Sequence, residues 1–313
     1  MANAVIVSGS TDWSSTGSWD IGSVPADADA VYLRNSTANI TSGLSQSSIQ
    51  PALIEIERSF TGDIGAAASE LAIGAVLLNV GRQVGPGSQT GSDRIKINNG
   101  TDPCVISCYY TATTSADTGF EPFRWRGTGT TTWNHYGGIA GIATNDPDDT
   151  ATVALINMLG GTLNLGAGVT LTTINMEGST SVLTIRSAFT TLNQNAGAAT
   201  VYGSGAATTI SLKGGSHYNY STGTITTANV FAGATLFKWS GAATITTLNL
   251  YGTLDLSQAS GAITVTNFNR LSDNAIINDP LGRLVATNGI INGAGIRKLD
   301  NYTSAGGRTY TIS

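Results

Sequence analysis

The chain has 313 residues, of which 11% are charged, 7% are aromatic and 39 are glycine. Gly, Thr, Ser and Asn are poor helix formers, which excludes a helical bundle, while an apolar share of 41% is too high for a disordered chain. The formal net charge of -5, from 15 basic and 20 acidic residues, leaves no cationic footprint for a nucleic-acid backbone, so nucleic acid is not expected as a partner.

Met1 is followed by Ala-Asn-Ala-Val-Ile-Val and then Ser-Gly-Ser. This stretch has no basic segment and too short an apolar run for a secretion signal or a membrane span, so folding in a reducing cytoplasm without a membrane partner is expected. Residues 1–150 are irregular. Extended segments are predicted at 30–33, 52–56, 75–80, 94–97, 104–109 and 123–126, separated by Gly, Ser, Thr and Asp turns. They read as longer, imperfect coils or as a small β domain that caps a solenoid and docks it. Cys104 and Cys108 fall on one face of a strand, roughly 13 Å apart, too far for a disulfide, so free thiols are expected. The segment 85–91 has the glycines of a phosphate loop but lacks its Lys-Ser/Thr ending. Asn145-Asp-Pro-Asp-Asp149 marks a junction.

Residues 151–270 repeat one phrase. Val153-Ala-Leu-Ile156-Asn-Met158, Leu171-Thr-Thr-Ile174-Asn-Met176 and Phe189-Thr-Thr-Leu192-Asn-Gln194 share an apolar-polar-polar-apolar-polar-apolar order, which continues to Val265-Thr-Asn-Phe268-Asn-Arg270. From Ile156 its fourth position advances by 18, 18, 18, 18, 20 and 20 residues. Apolar positions three apart and then two apart do not share one face of a flat strand, so the phrase predicts strand, bend and strand. The predicted fold is all-β, a parallel β-helix (β-solenoid) with coils of 18–20 residues rising about 4.8 Å each. Thr172, Thr190, Thr208, Thr226 and Thr246 should form one outer column. Asn157, Asn175, Asn193, Asn229, Asn249 and Asn269 should form another in which each amide donates to the next, with Ser211 as its exception. Residues 271–313, where the phrase fades and charge returns, are expected to be a C-terminal cap.

Few residues invite chemistry. In 151–270 the only acidic side chains are Glu177 and Asp255, separated by more than four coils or roughly 20 Å, beyond the reach of a carboxylate pair acting on one glycosidic bond. No catalytic residue, metal or cofactor is therefore predicted. The cluster Asp146, Asp148 and Asp149 lacks the glycine and distal Glu of a calcium loop and reads as a solvated linker. His135 and His217 stand apart from any nucleophile and read as packing or surface residues. The one aromatic concentration contains Tyr109, Tyr110, Phe120, Phe123, Trp125, Trp133 and Tyr136. Within it Arg124, Trp125, Arg126, Trp133 and Tyr136 are the candidate interface or glycan contacts, while alternation favours aromatics packed inward. Only six charges fall in 151–270, far below an average soluble surface, which points to side-by-side association. Thr-x-Thr pairs such as Thr224/Thr226 raise an ice-binding or adhesin alternative, interrupted at Ala188 and Ala206.

The Thr-Thr-Leu-Asn phrase, Val76-Leu-Leu-Asn-Val-Gly81 leading to Arg94-Ile-Lys-Ile-Asn98, and Trp19-Asp-Ile-Gly-Ser-Val-Pro25 running on to Val31 resemble β-helical structural proteins of tailed bacteriophages. The resemblance implies a non-catalytic virion component on the capsid exterior, usually a homotrimer. It would be a decoration or cement protein bound to the major capsid protein, with a tail fibre or tailspike that binds host glycan as the alternative.

Overall fold

The structure, a computed structural model, describes all residues except 66–68, 83–93, 112–120, 145, 147, 240–243, 293–296, 299–301, 304–308 and 311–313. The segment 85–91 and Phe120 thus lie outside the described residues. The chain is an all-β parallel β-solenoid, with no α-helix among the described residues and one short 3-10 turn at Thr16–Ser18. It divides into two compact units, Met1–Thr170 and Leu171–Ser313.

In the N-terminal unit one ladder is built from Asn3–Val5, Ala30–Leu33, Leu53–Glu57, Leu77–Arg82, Cys104–Cys108, the later half of Phe123–His135 and Ala151–Met158, all parallel. Its inward column is Ala4, Val31, Ile54, Leu78, Ile106, Trp133 and Ile156, each fully buried. A second parallel ladder contains Ser45–Gln46, Leu71–Ile73, Ile95–Asn98, the earlier half of Phe123–His135, Ile139–Ile142 and Thr162–Leu165. The first 150 residues are therefore longer coils of the same solenoid, spaced for example by 23 residues from Val31 to Ile54 and 28 from Leu78 to Ile106. These spacings follow no fixed period, so the coils are not visible as a repeat in the sequence.

The free edge of Asn3–Val5 is closed locally. Asp20 N donates to Val5 O at 3.0 Å, Val5 N donates to Asp20 Oδ1 at 2.8 Å, and Val7 N donates to Ser18 O at 2.9 Å. Trp19 packs edge-on against Trp13 and its indole N–H donates to Trp13 O. The stretch from Trp19 to Val31 thus has a physical role: its aspartates accept from backbone N–H groups of its own turn and of neighbouring strands and loops. Asp27 accepts from Gln50 N, and Asp29 accepts from Ala2 N and Ala26 N, bonds that hold the Asp29 carboxyl below its ordinary range.

In the C-terminal unit the inward column is Ile174, Leu192, Ile210, Ala228, Leu248, Phe268 and Ile290, in register on successive coils. Each larger member contributes about 1.5–3 kcal/mol by leaving water. Two consecutive outward residues, as at Thr172-Thr173, make the bend, after which alternation resumes. The outer amide column is also present. Asn193 donates to Asn175 at 3.0 Å, Asn249 to Asn229 at 2.8 Å and Asn269 to Asn249 at 2.8 Å, while Asn229 reaches Ser211 Oγ only at 3.4 Å. The column has a counterpart in the N-terminal unit, where Asn157 donates to Asn134 and Asn79 to Glu55. Thr172, Thr190, Thr208 and Thr226 are exposed as expected, Thr246 is half-buried, and at the bend the neighbouring Thr173, Thr191, Thr209, Thr227 and Thr247 are register partners.

The second ladder of this unit runs through Val182–Ile185, Ala198–Val201, Gly215–Asn219, Ala234–Lys238, Thr253–Asp255 and Ile276–Asn278. Beyond the regular coils, Asp279 accepts from Arg283 N and Leu284 N to hold a turn, and the final pairing of Ile290–Asn292, with Arg297–Lys298, is antiparallel.

Candidate functional site

Arg124, Trp125, Arg126, Trp133 and Tyr136 do not form one site. Along Phe123–His135 the residues alternate inward and outward, so Phe123, Trp125, Trp133 and His135 fill the core. Trp133 lies 5.4 Å from Phe123 and 6.1 Å from Trp125 between ring centroids. The two tryptophans are at most 1% exposed, and nothing outside the fold meets their faces. Tyr136 is 45% exposed at a coil corner, where its ring stacks on Tyr109 at 4.8 Å.

Arg126 lies elsewhere, in a groove of about 610 Å³ on the N-terminal unit, lined by residues that include Ser45, Glu70, Asn98, Asp146 and Asp149. Its Nε donates to Glu70 and its Nη1 lies 3.3 Å from Asp149 Oδ1. Burial works against the Arg126 charge, yet the two carboxylates outweigh it and raise its pKa. Asp149 is therefore no part of a solvated linker: it is buried, and its other oxygen accepts from Asp146 N at 3.1 Å. Solvation suits an isolated aspartate, but a guanidinium brought in by the coil above changes the balance. Beside the groove, Arg124, half-buried, and Lys96, buried, are register partners, and burial lowers the pKa of both. Glu121 spans the same face, accepting from Asn164 Nδ2 at 2.8 Å and from Thr144 Oγ1 at 2.9 Å. A Cβ on Gly141 would fall 2.7 Å from that carboxyl carbon, so the glycine makes room for it.

Both histidines are packing residues. His135 accepts from Trp133 Nε1, and burial pulls it down to about 4. His217 is fully buried and pulled down to about 3. The thiols are free and buried, and burial pushes Cys104 up to about 12. Among the described residues no group of three or more His, Cys, Asp or Glu side chains is arranged to hold a metal, and no helix is long and apolar enough to cross a membrane.

A second feature escaped the sequence reading. On the outer face of the C-terminal unit, Tyr202 stacks on Tyr220 at 5.2 Å, Tyr218 on Phe237 at 4.7 Å, and Trp239 closes the group edge-on against Tyr220. The spacing of 18 residues between Tyr202 and Tyr220, equal to the coil period, was the available signal. The ring planes stand about one rung apart, so they cover one another, and Arg186 covers the outer face of Tyr202 at 5.2 Å. Tyr202 is thus covered on both faces. A pyranose stacks on a ring face, so Tyr202 joins coils and offers no sugar platform.

The fold and these surfaces define a parallel β-solenoid with a polar groove on one unit and, along the first ladder of the other, an uncharged face of threonines and hydrogen-bonded asparagines. No family model, curated protein or solved structure matches the chain.

Proposed function

We propose that this chain is a non-catalytic virion structural protein of a tailed bacteriophage. In this reading it is a decoration or cement protein that coats the capsid exterior as a homo-oligomer, a trimer, and docks on the major capsid protein. The observation that carries the reading is the outer face of the C-terminal unit, where exposed threonines flank an amide column whose donors and acceptors bond to each other. Such a face is uncharged and already ordered, so packing against another protein costs little desolvation.

The carboxylates support the same reading because structural partners occupy them. Glu70 and Asp149 hold Arg126, Glu121 holds Asn164 and Thr144, and Asp255 holds Asn278 and Ser257. General acid–base chemistry needs a carboxyl free to exchange a proton with substrate. The test is to mix the purified chain with undecorated shells of tailed-bacteriophage capsid protein and follow co-sedimentation. Saturable binding by an oligomer is expected; a dispersed monomer without affinity for shells refutes the proposal.

A fibre or tailspike that binds host glycan is the second reading, favoured by the groove. Ser45, Asn98, Arg126 and the flanking carboxylates offer the mixed donors and acceptors that sugar hydroxyls require. Saturable signal on a glycan array, lost in Asn98→Ala, would place this reading first. Trp125→Ala is unsuitable there, because that side chain belongs to the core.

A further inference from the structure

Among the described residues the inward face of the C-terminal unit's second ladder carries a buried polar cluster. Asn219 and Lys238 are register partners on adjacent coils, both face inward, and they are 1% and 0% exposed. His217, two residues before Asn219 on the same inward face, is also fully buried. Among the described residues neither of its ring nitrogens has a hydrogen-bond partner, and Asn219 Oδ1 has none. Lys238 Nζ donates to Ser221 O at 2.7 Å, so the amine extends alongside the strand that carries Asn219 rather than toward solvent. Burial pulls Lys238 down to about 8, which keeps an appreciable fraction of its amine neutral near pH 7, and His217 is neutral there. A nucleophile, a carboxamide and a proton carrier are thus buried on two adjacent coils, placed there by register.

We propose that Asn219 and Lys238 condense into an intramolecular isopeptide bond that staples two consecutive coils. The neutral Nζ attacks Cγ of Asn219, forming the Nζ–Cγ bond as the carbonyl electrons move onto Oδ1. His217 accepts the proton from Nζ and passes it to Nδ2. The carbonyl reforms, the Cγ–Nδ2 bond breaks and ammonia leaves. One amide is exchanged for another, so no oxidant or reductant is required. The partners' Cα atoms stand about 4.8 Å apart in a fixed ladder, within reach of a lysine side chain, and holding reactants this way replaces a bimolecular encounter. The product also replaces a buried ammonium by a neutral amide, relieving the cost of burying charge.

Intact-mass measurement of the folded, full-length chain tests the proposal. The expected mass is lower than the sequence mass by one ammonia. Because acylated lysine resists trypsin, the digest should contain 214–270 uncut after Lys238, with the loss located between Asn219 and Lys238. Lys238→Met keeps the aliphatic stem and should carry its full mass. A folded wild-type chain at full sequence mass overturns the proposal. Ammonia loss that persists in Lys238→Met also overturns it, since it would place the loss in a backbone succinimide.

Discussion

Replacing Ser211 by asparagine should stabilise the C-terminal unit. Position 211 is the register partner of Asn193 on one side and Asn229 on the other. The column has good amide–amide bonds below and above it, at 3.0 Å between Asn193 and Asn175 and 2.8 Å between Asn249 and Asn229. At 211 itself the serine is too short, and Asn229 reaches its hydroxyl only at 3.4 Å. An asparagine there would donate to Asn193 and accept from Asn229, giving two normal hydrogen bonds in place of one marginal one. At about 0.5–1.5 kcal/mol net each, the gross gain is about 1–3 kcal/mol. Ordering the longer side chain takes back part of this, leaving a net gain of about 1 kcal/mol. For a unit of the size of Leu171–Ser313 that corresponds to a Tm rise of about 2–4 °C. Thermal unfolding followed by circular dichroism measures the rise. Amide exchange should slow in Ala207–Leu212 and Ile225–Val230 and stay unchanged in the N-terminal unit, because coils couple chiefly to their neighbours. An unchanged or lower Tm with the fold intact would refute the claim that the amide column holds the coils in register.

Four further outcomes are expected. Phe268→Ala empties a fully buried position in the inward column and should cost about 3–5 kcal/mol, read from denaturant unfolding. Gly81→Ala should abolish soluble expression, because Gly81 has φ +73° and a Cβ there would fall 1.8 Å from Tyr110 O. Cys104 and Cys108 should resist alkylation at pH 8 until the chain is unfolded, since burial holds Cys104 as a thiol up to about 12 and pushes Cys108 up as well; rapid native labelling would contradict this. His135 titrates near 4 when folded and near 6.5 when unfolded, so the unfolded chain binds the extra proton between those values. Stability should therefore be complete above pH 6.5 and fall as pH drops toward 4, and a pH series of unfolding midpoints should show a shallower fall in His135→Met.

The repeat phrase by itself determined the coil. Apolar residues at fixed places every 18 to 20 positions leave one arrangement in which all of them are buried, so the inward column from Ile174 to Phe268 and the amide column beside it are legible in the sequence alone. The alternation of Arg124 and Arg126 with Phe123 and Trp125 likewise favoured rings packed inward. Tertiary structure decided what depends on which coil lies next to which. Glu70 and Arg126 are 56 residues apart, and Asp149 joins them only because turns of unequal length bring the three together. The pairing of Asn219 with Lys238 and the stacking of Tyr202 on Tyr220 are likewise products of register. A local pattern reports whether a side chain faces in or out, because that follows from backbone geometry within one strand; its neighbour on the next coil depends on turn length, which no short-range pattern encodes.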